Sequence, residues 1–219
     1  MSEPPPESIV KAHPRVRGGL AVRGTSLVAG LFLFALAIVL ILESKLGLSP
    51  WDVLNQGLSH HSPLSFGVAN IAVGLVVLCL AWALGAPPGI GTVANAVLVG
   101  TFIQLLTSVE AVTDLGSEPL AVRIGLLAAG IALTGPASAL YIGADLGAGP
   151  RDSLMLAGAV RTGRRIRLVR AALELVALCI GIVLGGTFGV GTIAFALLIG
   201  PVVDASFRLL ARSPLAARG

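Results

Sequence analysis

The sequence predicts an all-α integral membrane protein: six transmembrane helices arranged as two inverted-topology three-helix repeats, each with a short interrupting helix. Three observations carry this expectation. The 219 residues are 55% hydrophobic and 12% charged, with a mean hydropathy of +0.94, outside the range of ordinary soluble domains. Six apolar runs approach the roughly 20 residues that a helix needs to cross a hydrocarbon core about 30 Å thick. The chain also aligns with itself at an offset of 100 residues.

The six runs cover residues 25–42, 66–84, 91–109, 121–142, 168–184 and 190–207. Strands of a closed barrel would alternate apolar and polar residues, whereas these runs are apolar all round. Lys11, Arg15, Arg17 and Arg23 precede the first run as in a secretory signal. The "ESKLG" that follows lacks a small-x-small cleavage site, and the run has a counterpart at 121–142, so it is read as a span. Residues 1–19 read as a disordered basic cytoplasmic tail, too rich in Pro and charge to pack. Residues 20–110 form the first membrane repeat, 111–207 the second, and 208–219 a cytoplasmic C-terminal tail. Cys79 and Cys179 sit inside apolar runs and read as buried packing residues, with no redox or metal role.

Comparing residues 20–103 with 120–203 gives 29 identities in 84 ungapped positions, where chance in so biased a composition gives roughly a tenth. "LAVR" at 20–23 repeats at 120–123, Gly47, Pro50 and Asp52 repeat as Gly147, Pro150 and Asp152, and Cys79 repeats as Cys179. Three spans per copy is an odd number, so the second copy must enter the membrane from the opposite side. The basic residues agree. With both termini inside, thirteen Lys and Arg fall on cytoplasmic segments and two, Lys45 and Arg123, outside. On this reading Trp51 is an outer interfacial aromatic and Arg151 an inner positive charge. The net charge of +4 then reports topology and anionic lipid, with no case for nucleic acid.

At "SPWD", Ser49 suits a helix cap, Pro50 the first helical position, and Asp52 the third, near the positive helix end. "GPRD" repeats this at 149–152. One reading makes both motifs helix starts at a membrane interface. The other places Asp52 and Asp152 on a path between the repeats, as inverted-repeat transporters place broken helices. A second paired motif, Gly89-Ile90-Gly91-Thr92 and Gly189-Val190-Gly191-Thr192, opens the last span of each half. It has no following Lys and no preceding strand, so the phosphate-loop and dinucleotide fingerprints fail; tight turning and close packing are the better reading. Asn70, Asn95, Gln104 and Glu174 are the polar residues least expected in lipid, and all are expected to face the bundle interior. Glu174 also lies four residues after Arg170, the spacing of a local ion pair.

"LGLSPWDVLNQGLS", "SFGVANIAVGLVVL", "PGIGTVANAVLVG" and the stretch carrying Gly189, Gly191, Thr192, Gly200, Pro201 and Asp204 together resemble the YczE-type bacterial membrane proteins, related to the YitT group. The resemblance covers about residues 20–207. Ser49 stands where that family commonly has Gly. It implies a multispan fold in the bacterial cytoplasmic (inner) membrane, with both termini inside on the charge count above. It implies no catalytic residue and no cofactor.

The leading functional expectation is a small secondary transporter or permease-like protein, its path lying at the repeat interface and lined by Asp52, Asp152, Asn70, Asn95 and Glu174. The alternative is a non-transporting accessory protein that holds a partner through the Arg-rich loop at 161–170. No His pair at helical spacing, Ser–His arrangement or Cys cluster supports an enzyme or a metal site. The expected partners are the lipid bilayer, a small solute or ion, and a second copy in a homodimer.

Overall fold

The computed structural model describes residues 14–216. Among the described residues nine α-helices follow one another: α1 (Leu20–Ser44), α2 (Pro50–His60), α3 (Phe66–Ala83), α4 (Ile90–Thr107), α5 (Glu110–Thr113, continued by a 3-10 turn), α6 (Leu120–Gly143), α7 (Pro150–Thr162), α8 (Ile166–Val183) and α9 (Val190–Arg212). Five of them, α1, α3, α4, α6 and α9, are long and apolar enough to cross a membrane. The remaining predicted run, 168–184, is helix α8, whose 18 residues include Arg167, Arg170 and Glu174 and so fall outside that class.

The helices begin and end where local chemistry directs. Ser49 and Ser65 accept backbone N–H bonds at the starts of α2 and α3. Pro50 and Pro150 occupy first helical positions, where a missing N–H is no loss. Lys45 and Asp145, just past α1 and α6, both stand in the left-handed region at φ 53°, the conformation that turns a chain sharply out of a helix.

At the centre, α1 and α6 lie side by side in opposite directions. Glycines permit the approach: a Cβ on Gly30 would stand 2.6 Å from the Tyr141 nitrogen, and one on Gly130 2.8 Å from the Ala37 carbonyl. Each helix also carries an Arg that closes the other's last turn. Arg23 Nε donates to the Ala144 carbonyl at 2.7 Å, and Arg123 Nε to the Ser44 carbonyl at 2.8 Å. A cation at a carbonyl-rich helix end is stabilising in both partners. Around this pair, α4 packs on α1 and α9 on α6, while α2 packs on α8 and α7 on α3.

The loops after α1 and α6 are gripped by the Gly-x-Gly-Thr turns of the opposite half. Gly191 N–H donates to the Leu46 carbonyl at 2.7 Å and Gly91 N–H to the Leu146 carbonyl at 2.8 Å. Gly47 (φ 117°) and Gly147 (φ 133°) adopt conformations that disfavour a side chain. A Cβ on either would also stand 2.7 Å from a threonine Oγ1, that of Thr192 or Thr92. Those hydroxyls accept from the N–H of Gly189 and Gly89 at 3.3 Å, closing the first turns of α9 and α4. In each half the motif thus opens the outer helix and holds the loop of the other half.

Three expectations are corrected. The N-terminal segment packs from Pro14 onward: Val16 is buried, its N–H donates to the Gly143 carbonyl at 2.8 Å, and Arg17 N–H donates to the Leu215 carbonyl at 2.7 Å. Residues 1–13 of the expected tail lie outside the described residues. At the other end α9 continues through Arg212, so the boundary set at 207 falls inside a helix. Cys79 and Cys179 are exposed on the outer faces of α3 and α8, not buried, because a helix in lipid is apolar on the side that packs and on the side that does not.

Candidate functional site: a cavity between the two halves

The starts of α2 and α7 converge on one cavity of about 370 Å³, within the size range of small-molecule sites. The long helices supply its walls through Phe34, Ile38 and Ile41 of α1 and Thr134, Ser138 and Tyr141 of α6. All six lie in the C-terminal halves of their helices, with Ile41 and Tyr141 in the last turns, each beside a glycine of the other helix, Gly130 and Gly30.

Asp52 is buried, 4% exposed, and its carboxylate is held from three sides. Ser49 Oγ donates to one oxygen, Asn55 Nδ2 donates to the other at 3.2 Å, and Arg151 Nη2 stands 3.7 Å from that second oxygen. Arg151 meanwhile lies over the Trp51 ring, with its guanidinium carbon 5.2 Å from the centroid. Positions 51 and 151, equivalent in the two copies, therefore touch across the molecule. This corrects the reading that set Trp51 and Arg151 on opposite membrane faces. Both helix starts reach the same cavity, where the long Arg151 side chain bridges them, and burial of the aromatic face strengthens a cation–π contact.

Asp152 lines the same cavity, half-buried. Gly149 lies beside it and beside Asn95, at ordinary contact distance: a Cβ there would stand 3.4 Å from Asp152 Oδ2 and 3.6 Å from Asn95 Nδ2. Asn95 of α4 and Glu174 of α8 also line the cavity. Glu174 accepts from Arg170 Nε at 2.8 Å, a partly exposed local pair at the edge of the cavity. Asn70 of α3 is 6% exposed and lines the cavity, yet its Nδ2 has no hydrogen-bond partner. A buried amide donor left unpaired costs about 1–3 kcal/mol, and an acceptor placed in the cavity would remove that cost.

All five residues expected on a path, Asp52, Asp152, Asn70, Asn95 and Glu174, are thus brought to one cavity from five helices. Gln104 is not. Its Oε1 accepts from Ser65 Oγ, joining α4 to the start of α3 away from the cavity. Sequence reasoning passed over Thr134, Ser138 and Tyr141, although a signal was available: at i, i+4 and i+7 they form a polar stripe on one face of an apolar helix. The equivalent face of α1 carries Phe34, Ile38 and Ile41. Arg151 and Arg170 were read as loop charges, yet both line the cavity, which holds two guanidinium groups and three carboxylates.

The Arg-rich connection from α7 to α8 is partly occupied within the chain: Arg161 Nε donates to the Leu84 carbonyl at 3.3 Å, and Arg170 pairs with Glu174. His60 stands beside the Gly185 carbonyl at 3.1 Å. Among the described residues no three His, Cys, Asp or Glu side chains group as metal ligands would.

A multi-span, all-α bundle with a charged cavity between its helices defines a class: a multi-pass integral membrane protein. Residues 21–208 match the family of unknown function DUF6198, and the chain belongs to that family. It is 36% identical over 190 residues to an uncharacterised protein of Haemophilus influenzae, covering 84% of this chain and 85% of that one. It is likewise 36% identical over 186 residues to the uncharacterised membrane protein YczE of Bacillus subtilis, with the same coverage, and 27% identical over 186 residues to YyaS of the same organism, covering 81% of this chain and 92% of that one. No solved structure matches the chain.

Proposed function

We propose that the protein is a small, non-enzymatic secondary transporter whose path is the cavity between two three-span repeats, residues 20–110 and 111–207, inverted in the membrane with both termini cytoplasmic. In this reading α8 is the sixth span, its charges turned toward the cavity and the cytoplasmic boundary. The observation that carries the proposal is the convergence of Asp52, Asn70, Asn95, Asp152 and Glu174 on one cavity to which both halves contribute. The reciprocal contacts of Arg23 with Ala144 and of Arg123 with Ser44 support the pseudo-twofold relation. Helices that start inside a bundle aim their positive ends at its contents. The Asp52–Arg151 contact links the two halves across the cavity and is the natural element to break when the halves rock.

The test is accessibility from each side. With Cys79 and Cys179 replaced by Ala, a single Cys is placed at Ser138 or Asp152 and labelled with a membrane-impermeant maleimide in right-side-out and inside-out vesicles. Transport by rocking predicts labelling from both faces. Labelling in only one of the two vesicle orientations would sink the proposal and leave a one-sided binding pocket.

A further inference from the structure

The two halves differ in one packing contact. In the first half α3 packs along α4, with Gly67 against Gly100: a Cβ on Gly67 would stand 2.6 Å from the Gly100 carbonyl. The equivalent residues in the second half are Arg167 and Gly200. Here α8 and α9 do not pack along one another as α3 and α4 do, and a Cβ on Gly200 would meet nothing within 4 Å. Gly200 lines the cavity, as do Arg170, Leu173 and Glu174 from α8 and Phe195, Ile199 and Val203 from α9. The cavity therefore opens sideways between α8 and α9. That opening faces the hydrocarbon, since the outer surfaces of both helices carry exposed Leu175, Ile180, Val183, Leu197 and Leu198.

We propose that the cavity takes an amphipathic molecule, with a zwitterionic head at its floor and an apolar tail leaving between α8 and α9. The inference rests on the cavity's being the path proposed above and names the class of molecule that enters it. The lining holds charges of both signs, Arg151 with Asp52 and Asp152 inside and the more exposed Arg170–Glu174 pair at the α8 edge, which suits a head carrying both. The buried Asn70 Nδ2, 6% exposed as a residue and without a partner, supplies a donor for an acceptor on that head. Phe195, Ile199, Leu173 and Val203 offer the tail an apolar channel at the mouth. The apolar face of a second copy, the other candidate to cover the gap, would leave the Asn70 donor unpaired.

Trp51 lines the cavity and the sequence has one other tryptophan, Trp82, exposed on α3. The full chain carrying Trp82→Phe is placed in phosphatidylcholine nanodiscs and titrated with lysophosphatidylethanolamine brominated near the head end of its acyl chain. The expected result is saturable quenching of Trp51. Asn70→Leu should weaken it at least tenfold, and Gly200→Phe, which adds a ring where there is open space, should abolish it without lowering the melting temperature. Glycerophosphoethanolamine, the same head without a tail, should compete poorly. Quenching that never saturates and is identical in all variants would reveal ordinary surrounding lipid and overturn the inference. Equal competition by the tailless head would overturn it too, while leaving a water-soluble solute for the same path. Dimers dissolved by Gly200→Phe, with no lysolipid effect, would assign the gap to a second copy instead. One-sided maleimide labelling with saturable lysolipid binding would remove transport and keep the amphiphile site.

Discussion

The α3–α4 and α8–α9 pairs stand at equivalent places in the two copies, yet one is closed and the other open. The turn before each outer helix is the same: Gly89 and Gly91 on one side, Gly189 and Gly191 on the other, each turn accepting a loop from the opposite half. The difference lies along the facing sides of the two helices: Gly67 meets Gly100 and Gly74 lies against Ala96 in the first half, whereas Arg167 and Glu174 stand at the equivalent positions of α8 and a Cβ on Gly200 would meet nothing within 4 Å. Without a hydrophobic force between helices in lipid, close association depends on small residues that let backbones touch. Replacing one of two glycines by Arg removes that option. The repeated residues build the common frame, and the loss of small residues from α8, Arg167 for Gly67 and Glu174 for Gly74, accompanies the opening on that side.

The largest expected effect tests the part of the comparison that is symmetric. Gly47→Val and Gly147→Val each force a branched side chain to positive φ against a threonine hydroxyl, and both should cost about 3 kcal/mol or more. Thermal unfolding in detergent should show a loss of similar size for the two; a large loss for one and none for the other would break the equivalence of the two interlocks. Next comes the asymmetric crossing. Gly100→Ala should destabilise by roughly 1–3 kcal/mol through overpacking against the Gly67 carbonyl and Ile71. Gly200→Ala, in open space within a helix, should gain about 0.5–1 kcal/mol. Equal shifts in melting temperature for this pair would mean that α8 and α9 are as closely packed as α3 and α4.

Smaller effects sharpen the same contrast. Arg23→Gln and Arg123→Gln should each cost about 1–2 kcal/mol, since each removes a charged donor from helix-end carbonyls. Arg23→Gln should cost slightly more, because Arg23 also meets the Asp145 carboxylate at 3.4 Å; the difference, read from paired unfolding curves, should vanish in an Asp145→Asn background. The least effect belongs to Glu174→Gln. Its exposed i, i+4 pair with Arg170 is worth only about 0.3–0.5 kcal/mol, so its melting temperature should barely move.

Much of the frame could be read from the residues. The repeat, the helix starts at Pro50 and Pro150 and the turning role of Gly-x-Gly-Thr are short-range chemistry, and short-range chemistry is written in order along the chain. Facing was harder. In α3 and α8 an apolar residue can point at lipid or at a neighbour with equal ease, so nothing in the runs around Cys79 and Cys179 told outside from inside. The meeting of Trp51 with Arg151 was illegible for a related reason. Counting Lys and Arg assigns a loop to a side of the membrane but says nothing of how far its helix start returns inward. The five polar residues of the cavity were legible because each is costly in lipid, whereas Gln104, equally costly, finds its partner at Ser65 on a neighbouring helix end. The open α8–α9 crossing was visible only as Arg167 and Gly200 facing Gly67 and Gly100 in the self-alignment, a difference whose meaning needs the contact between the helices.

The grip of each loop by the far half also sets an order of events during synthesis. Leu46 and Gly47 leave the ribosome with their eventual partners, Gly189 to Thr192, still untranslated. About 140 residues, the separation of Gly47 from Gly189 in the sequence, must be added first, which at roughly 5–20 residues per second takes on the order of ten to thirty seconds. The second loop waits for nothing, because Gly89 to Thr92 are made before Leu146 and Gly147. The first half is therefore a nascent intermediate with an unclasped loop, and the bond from Gly191 N–H to the Leu46 carbonyl can form only once the second half is nearly complete.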